Sequence, residues 1–109
     1  MDYRVEQTLI SMNAGIEKQL TLDKMACQVN LTAEYLCRLF KAEIGSSPVA
    51  FLKTLRINRA SELLETTCLS IKEIMPKVGV TDESHFVRDF KVRFGRTPSE
   101  YRKTTAHRF

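Results

Sequence analysis

The sequence predicts an all-α fold of seven helices, and three observations carry that prediction. Apolar residues recur at spacings of three and four, the period of a helix with one buried face. Runs of β-branched residues are few. The 4 glycines and 3 prolines stand mainly at the borders between periodic stretches, where chains turn.

Taken in order, Val5, Leu9 and Met12 form a stripe closed by Gly15, which predicts a first helix over about 2–14. Thr21 caps a short helix bearing Leu22, Met25, Ala26 and Val29. Thr32 caps the next, which bears Leu36, Leu39 and Phe40 and stops at Gly45. Ser47 offers an N-cap with Pro48 in the first helical position, where a missing N–H is harmless. Leu52, Leu55, Arg59/Ala60, Leu63 and Leu64 follow, making this the longest helix, about 48–65. Ser70 and Glu73 form a capping box for a short helix with Ile71, Ile74 and Val78. Thr81 or Asp82 caps the sixth helix, which turns Phe86, Phe90 and Phe94 inward and stops at Gly95. Thr97, Pro98 and Glu100 open the last helix, about 98–105, with a second capping box, and the closing His107–Arg108–Phe109 is expected to fray.

The chain writes one phrase twice. Leu22, Met25, Val29, Asn30, Leu31 and Thr32 match Ile71, Ile74, Val78, Gly79, Val80 and Thr81 at an offset of 49. Beyond the turn the offset is 50, pairing Leu36 with Phe86, Arg38 with Arg88, Phe40 with Phe90, Lys41 with Lys91, Gly45 with Gly95 and Pro48 with Pro98. Asn30 and Gly79 occupy the sharp turn, and both residue types tolerate positive φ. An apolar plug and a capping threonine follow each. Helix, tight turn, capped second helix is the helix-turn-helix pattern.

At about 100° per residue, Leu36, Leu39, Phe40 and Glu43 share the inward side of the second helix of the first unit. Glu34, Cys37, Arg38 and Lys41 fall on the outward side, and Ser84, Val87, Arg88 and Lys91 take the same slots in the second unit. Both faces thus share Arg and Lys while differing at their other two slots. Arginine can grip guanine bidentately, Glu can accept from cytosine and Val can lie on a thymine methyl, whereas lysine more often meets phosphate. A solvated amphipathic helix would explain one such face, but the repeat favours two readers of double-stranded DNA. Charge agrees: the chain carries a net +4, residues 1–65 balance 8 Lys/Arg against 8 Asp/Glu, and residues 66–109 carry 9 against 5. The competing class is a helical protein-interaction module whose basic face docks an acidic partner.

These residues resemble the DNA-binding domain of AraC/XylS-type transcription regulators. The stretches "LTAEYLCRLFKAEIGSSPVAFLKTLRINRASELL" and "SIKEIMPKVGVTDESHFVRDFKVRFGRTPSEYRK" carry the likeness, above all Gly79, Phe86, Phe90, Lys91, Phe94, Gly95, Pro98, Tyr101 and Arg102. The resemblance implies a bilobed seven-helix domain over 1–109. Its first helix-turn-helix would span about 20–45, a long linker helix about 48–65, its second helix-turn-helix about 70–95 and a C-terminal helix about 98–105. Two recognition helices would enter successive major grooves on one face of the duplex. It implies that Glu34, Cys37, Arg38, Ser84, Val87 and Arg88 face bases, and that Lys41, Lys53, Lys91 and Arg102 face phosphates. It also implies bacterial transcription regulation, contact with RNA polymerase, and either a small stand-alone regulator or the C-terminal piece of one with an N-terminal sensing or dimerisation domain.

The chain departs from the family in "IMPKVG". Met75 stands where alanine is usual, and Pro76 removes a donor inside a helix at a cost of up to ~3 kcal/mol. A kinked or 3₁₀-like stretch is therefore expected at 72–78, with the second unit shifted or weakened on DNA. Val80 is a smaller corner plug than the family's aromatic, and Asp89 dampens the charge beside Arg88. Of the remaining residues, Tyr35 and His85 are expected to pack beside the core, His85 with a hydrogen bond. Tyr101 is expected to be core with a polar tip. Arg56 and Arg59 would pair with Glu62 or Glu65, phosphate contact remaining open.

Three cysteines, Cys27, Cys37 and Cys68, make an odd count without CxxC spacing, and there are 2 histidines, so reduced thiols and no metal site are expected. Cys37 would be a small apolar contact rather than a thiol switch. No nucleophile–base set, carboxylate pair or phosphate-cradling loop stands out, so the chain is read as a binder without cofactor and not an enzyme. No signal peptide or membrane-span pattern is present, which makes the cytoplasm the expected location.

Overall fold

The computed structural model describes residues 1–105, and the closing residues expected to fray lie outside them. It contains seven α-helices: α1 (Tyr3–Ala14), α2 (Leu22–Gln28), α3 (Ala33–Ile44), α4 (Pro48–Thr66), α5 (Ile71–Lys77), α6 (Glu83–Phe94) and α7 (Pro98–Thr105). There is no strand among the described residues. The chain divides into two compact units, Met1–Leu55 and Arg56–Phe109, and α4 contributes to both.

The helices start where side chains can satisfy the first free N–H groups. Asp2, Thr21, Thr32, Ser70 and Asp82 each accept from the backbone two or three residues on. Ser47 Oγ accepts from Ala50 N at 3.2 Å. At Ser70/Glu73 and Thr97/Glu100 the capping boxes are reciprocal, with the carboxylate returning to the cap N–H at 3.1 Å in each.

In the first unit, Val5, Met12, Met25, Ala26, Leu36, Phe40 and Leu52 form the core, with Phe51 edge-on to Phe40 at 5.7 Å. In the second, Ile57, Ala60, Leu64, Ile74, Met75, Val78, Phe86 and Phe90 do so. Phe94 and Tyr101 close the second core, their rings 4.7 and 5.3 Å from Phe90. The polar tip of Tyr101 donates to Glu65 at 2.8 Å. Among the described residues the buried polar side chains Thr8, Ser61 and Thr105 all donate to carbonyls of their own helices.

The α5 segment differs from the distorted stretch expected around Pro76. It is α-helical from Ile71 through Lys77. Proline removes only its own N–H, while its carbonyl remains and accepts from Gly79 N at 3.3 Å. Bonds of the 3₁₀ type appear at both ends, from Glu73 N to Ser70 O at 3.1 Å and again at the closing turn, and α2, which has no proline, closes the same way. Met75, where the family prefers alanine, is buried in the core.

Candidate nucleic-acid interface

The two units build the same motif with the same bonds. Helices α2 and α5 each have 7 residues, and α3 and α6 each have 12. After α2, Asn30 takes φ 56°, and after α5, Gly79 takes φ 76°. Leu31 N reaches back to Ala26 O at 3.0 Å, and Val80 N to Met75 O at 2.9 Å. Asn30 N bonds Cys27 O and Gly79 N bonds Pro76 O. A left-handed residue that bonds back across the last turn ends a helix sharply and satisfies its free carbonyls. Leu31 and Val80 then plug the two corners, half-buried against their cores.

The second helices are capped by Thr32 and Asp82, which stand 50 residues apart. Thr81, aligned with Thr32 on sequence, is therefore the extra residue of the second turn and not a cap. Asp82 accepts from His85 N at 3.0 Å. That backbone bond, the nearby His85 ring and Arg88 hold the Asp82 carboxyl below the usual carboxylate range.

With Leu36, Phe40, Phe86 and Phe90 buried, the opposite faces of α3 and α6 look outward. Glu34, Arg38 and Lys41 are exposed on α3, and Ser84, Arg88 and Lys91 on α6. Cys37 and Val87 are half-buried at the margin of each face. Lys53 is exposed on α4.

Arg102 behaves differently from the phosphate contact expected of it. Its guanidinium is half-buried and donates from Nε to Leu64 O at 3.3 Å, from Nη2 to Thr67 O at 3.1 Å and from Nη1 to Leu69 O. It bonds one carbonyl of the last turn of α4, that of Leu64, and two of the loop that follows, those of Thr67 and Leu69. Two more cations of the basic segment also have intramolecular acceptors: Arg93 donates to Asn58 and Arg96 to Thr104, both at 2.6 Å.

Several residues were misplaced or passed over by periodicity. Glu43, assigned to the inward side, is exposed, and both its carboxylate oxygens accept from Asp2 N, at 3.0 and 3.1 Å. This ties the start of α1 to the end of α3, while Ser11 bonds Gln28 at 2.8 Å to tie α1 to α2. His85 and Tyr35 are exposed rather than packed. The His85 ring makes no hydrogen bond, although its Nδ1 lies 3.2 Å from Asp82 Oδ2; its backbone N–H is the group that bonds Asp82. The Arg4 guanidinium lies 5.4 Å from the Tyr35 ring centroid. Asp2, bonded to Arg4 at 3.0 and 3.1 Å, raises the Arg4 pKa, and Tyr35 adds to that. Arg59 pairs with Glu62 at 3.2 Å.

A family model described as a helix-turn-helix domain matches residues 25–104. A transcriptional regulator structure from Chromobacterium violaceum, described as containing an AraC-type DNA-binding domain, superposes with a TM-score of 0.85 at 34% identity, covering 94% of this chain and 92% of that one. The chain belongs to the AraC-type helix-turn-helix family. The HTH-type transcriptional regulator MtrA of Neisseria gonorrhoeae is 36% identical over 87 residues, which is 80% of this chain and 29% of that protein. The chain thus spans about a third or less of the length of the curated relatives it matches. The same fold occurs in the DNA-binding domain of AdpA, solved with a target DNA, with a TM-score of 0.89 at 24% identity over 99% of this chain and 96% of that one. Among the described residues no helix is long and apolar enough to cross a membrane, and no group of three metal-ligating side chains gathers.

Proposed function

We propose that this AraC-type domain reads duplex DNA sequence-specifically as part of a bacterial transcription regulator, α3 and α6 entering successive major grooves. One observation carries the reading. The same bonded turn presents the same exposed Arg and Lys in each unit, Arg38/Lys41 and Arg88/Lys91, beside slots that differ. Shared cations suit a shared backbone, and divergent neighbours suit two different half-sites. In this reading Arg38 and Arg88 contact base edges, joined by Glu34 and Cys37 in one groove and by Ser84 and Val87 in the other. Lys41, Lys53 and Lys91 hold phosphates. Arg102 is not among the phosphate contacts, because its donors serve the α4 terminus. The role is binding and not catalysis, in the cytoplasm, with RNA polymerase and a sensing or dimerising domain as further partners.

Selection of bound sequences from a random duplex pool tests the reading. Recovery of a fixed motif with two half-sites about 10 base pairs apart is expected. Arg38→Ala should then relax preference at one or two positions of one half-site, each worth about 1–3 kcal/mol. Recovery of no motif, with affinity set by salt alone, would leave only a polyanion-binding face.

A further inference from the structure

The repeat has one more matched slot, on the side of each second helix away from the outward arginine. Glu43 and Arg93 stand 50 residues apart, each two residues before the glycine that stops its helix. On the helical wheel they lie within about 20° of Leu36 and of Phe86, an angle that periodicity reserves for apolar residues. Both are nevertheless charged and exposed, and both reach back to the helix that precedes their helix pair. Glu43 accepts from the backbone N–H of Asp2, the N-cap of α1, at 3.0 and 3.1 Å. Arg93 donates from Nε to Asn58 Oδ1 on α4 at 2.6 Å.

The preceding helices are themselves equivalent. Val5, Thr8 and Met12 of α1 are buried in the first unit, and Ile57, Ala60 and Leu64 of α4 are buried in the second at a constant offset of 52. The Glu43 bond lies wholly within Met1–Leu55 and the Arg93 bond wholly within Arg56–Phe109. The two bonds share a place and not a chemistry, since one side chain accepts and the other donates. That place is the far end of the helix. The near end is held by the bonded turn and its cap, and Glu43 and Arg93 are each 10 residues beyond the first residue of their helices. At 1.5 Å per residue the separation is about 15 Å, so a slip of about 1 Å at the far end tilts the axis by about 4°.

We propose that Glu43 and Arg93 are a matched pair of positioning residues, each holding the far end of its second helix against the preceding helix and so setting the angle at which that helix meets its half-site. The proposal rests on the DNA-reading function above, and neither residue touches DNA in it. Bidentate contacts to base edges depend on direction as well as distance, so a helix free to tilt tells bases apart less well. Each bond lies within one unit, and its loss therefore blurs discrimination at one half-site and spares the other.

The test uses the full chain and three labelled duplexes: the selected motif, and the motif with either half-site scrambled. The ratio of affinities for the intact and scrambled duplexes measures discrimination at each half-site. Arg38→Ala and Arg88→Ala show which half-site belongs to which unit. Asn58→Ala removes an acceptor and no charge. It should lower discrimination at the second unit's half-site about three- to tenfold, the worth of one net hydrogen bond, and leave the other ratio unchanged. Glu43→Ala should do the same at the first unit's half-site, and Glu43→Gln, which keeps an acceptor for the Asp2 N–H, should restore most of the loss. Arg93→Ala should weaken binding to every duplex through its lost charge but lower only the second unit's ratio. Adding Asn58→Ala to it should lower that ratio no further, because the two residues act through one bond. All variants are compared at a temperature where circular dichroism shows them folded. A merely structural role lowers affinity for the three duplexes by one common factor and leaves both ratios intact; that result overturns this proposal alone, as does a single variant that lowers both ratios. Absence of a motif-specific complex with the unaltered chain overturns the DNA-reading function and this proposal with it.

Discussion

Arg102 permits a sharp test, because the family likeness and the structure give it different work. A phosphate contact needs only a positive charge at the right place. The observed role needs a planar fork, since three nitrogens reach three different carbonyls, those of Leu64, Thr67 and Leu69. Lysine keeps the charge and cannot reproduce the fork. Hydrogen bonds to a charged group contribute about 1.5–3 kcal/mol each, but these three share one half-exposed side chain and do not add. Loss of about 2–4 kcal/mol is expected for Arg102→Ala, and only slightly less for Arg102→Lys, because both strand carbonyls in the last turn of α4 and in the loop after it. For a chain of this length that corresponds to a fall in Tm of about 8–16 °C, measured by circular dichroism.

Salt dependence of DNA binding supplies the second reading, taken at a temperature where both variants are folded. The structure leads to an unchanged salt slope for Arg102→Ala. A phosphate contact would instead lower the slope by about 0.9, with Arg102→Lys close to normal in both stability and slope. That second pattern would refute the assignment of Arg102 to the α4 terminus.

Gly79 at φ 76° should tolerate alanine poorly, losing about 1–2 kcal/mol in urea denaturation, while Gly79→Asn should lose less, as Asn30 adopts the same conformation. Equal losses would show that turn conformation is not the constraint. Pro76→Ala restores a donor to α5 and should stabilise the chain by about 1–2 kcal/mol after the entropy lost from the unfolded state is discounted; a destabilised variant would contradict this. Glu73 and Glu100 have folded pKa values below the ordinary range, chiefly through their bonds with Ser70 and Thr97. Their contribution is present above the unfolded value of about 4.3 and is lost as pH falls through the folded values. Thermal melts between pH 3 and pH 6 should show Glu73→Gln losing less stability on acidification than the unaltered chain.

What the sequence disclosed and withheld divides along a physical line. Caps, stops and the positive-φ turn are settled within three or four residues, so Thr21, Thr32, Ser70 and Gly95 could be read directly. The inward stripes were legible because a buried face imposes the helical period on residues such as Leu36, Phe40, Phe86 and Phe90. Arg102 lies 33–38 residues from the carbonyls it bonds, and Glu43 lies 41 from Asp2. No local pattern marks such pairs. Tyr35 and His85 stand about 100° from the centre of the buried stripe, where neighbouring elements and not periodicity decide exposure. The donor that Pro76 lacks still weakens α5, but its loss does not turn the helix into a 3₁₀ stretch, and α5 stays α-helical through Lys77.

That last point bears on how the duplication serves recognition. The repeated feature is a pattern of backbone bonds more than a set of side chains. At four positions of the turn the residues differ completely: Ala26/Met75, Cys27/Pro76, Asn30/Gly79 and Leu31/Val80. The acceptors and donors are nonetheless the same main-chain atoms in each unit. A turn held by its backbone asks of its side chains only that they permit the left-handed residue and fill the corner. The outward residues of α3 and α6 are then free to diverge without disturbing the turn that aims them. Glu34 and Ser84, Cys37 and Val87, Tyr35 and His85 have diverged, while Arg38/Arg88 and Lys41/Lys91 have not. Stability alone would not demand arginine and lysine at exposed positions of both helices, since exposed substitutions usually change stability by less than about 0.5 kcal/mol. A shared partner of uniform charge and variable edge chemistry does demand that division, and duplex DNA has both properties.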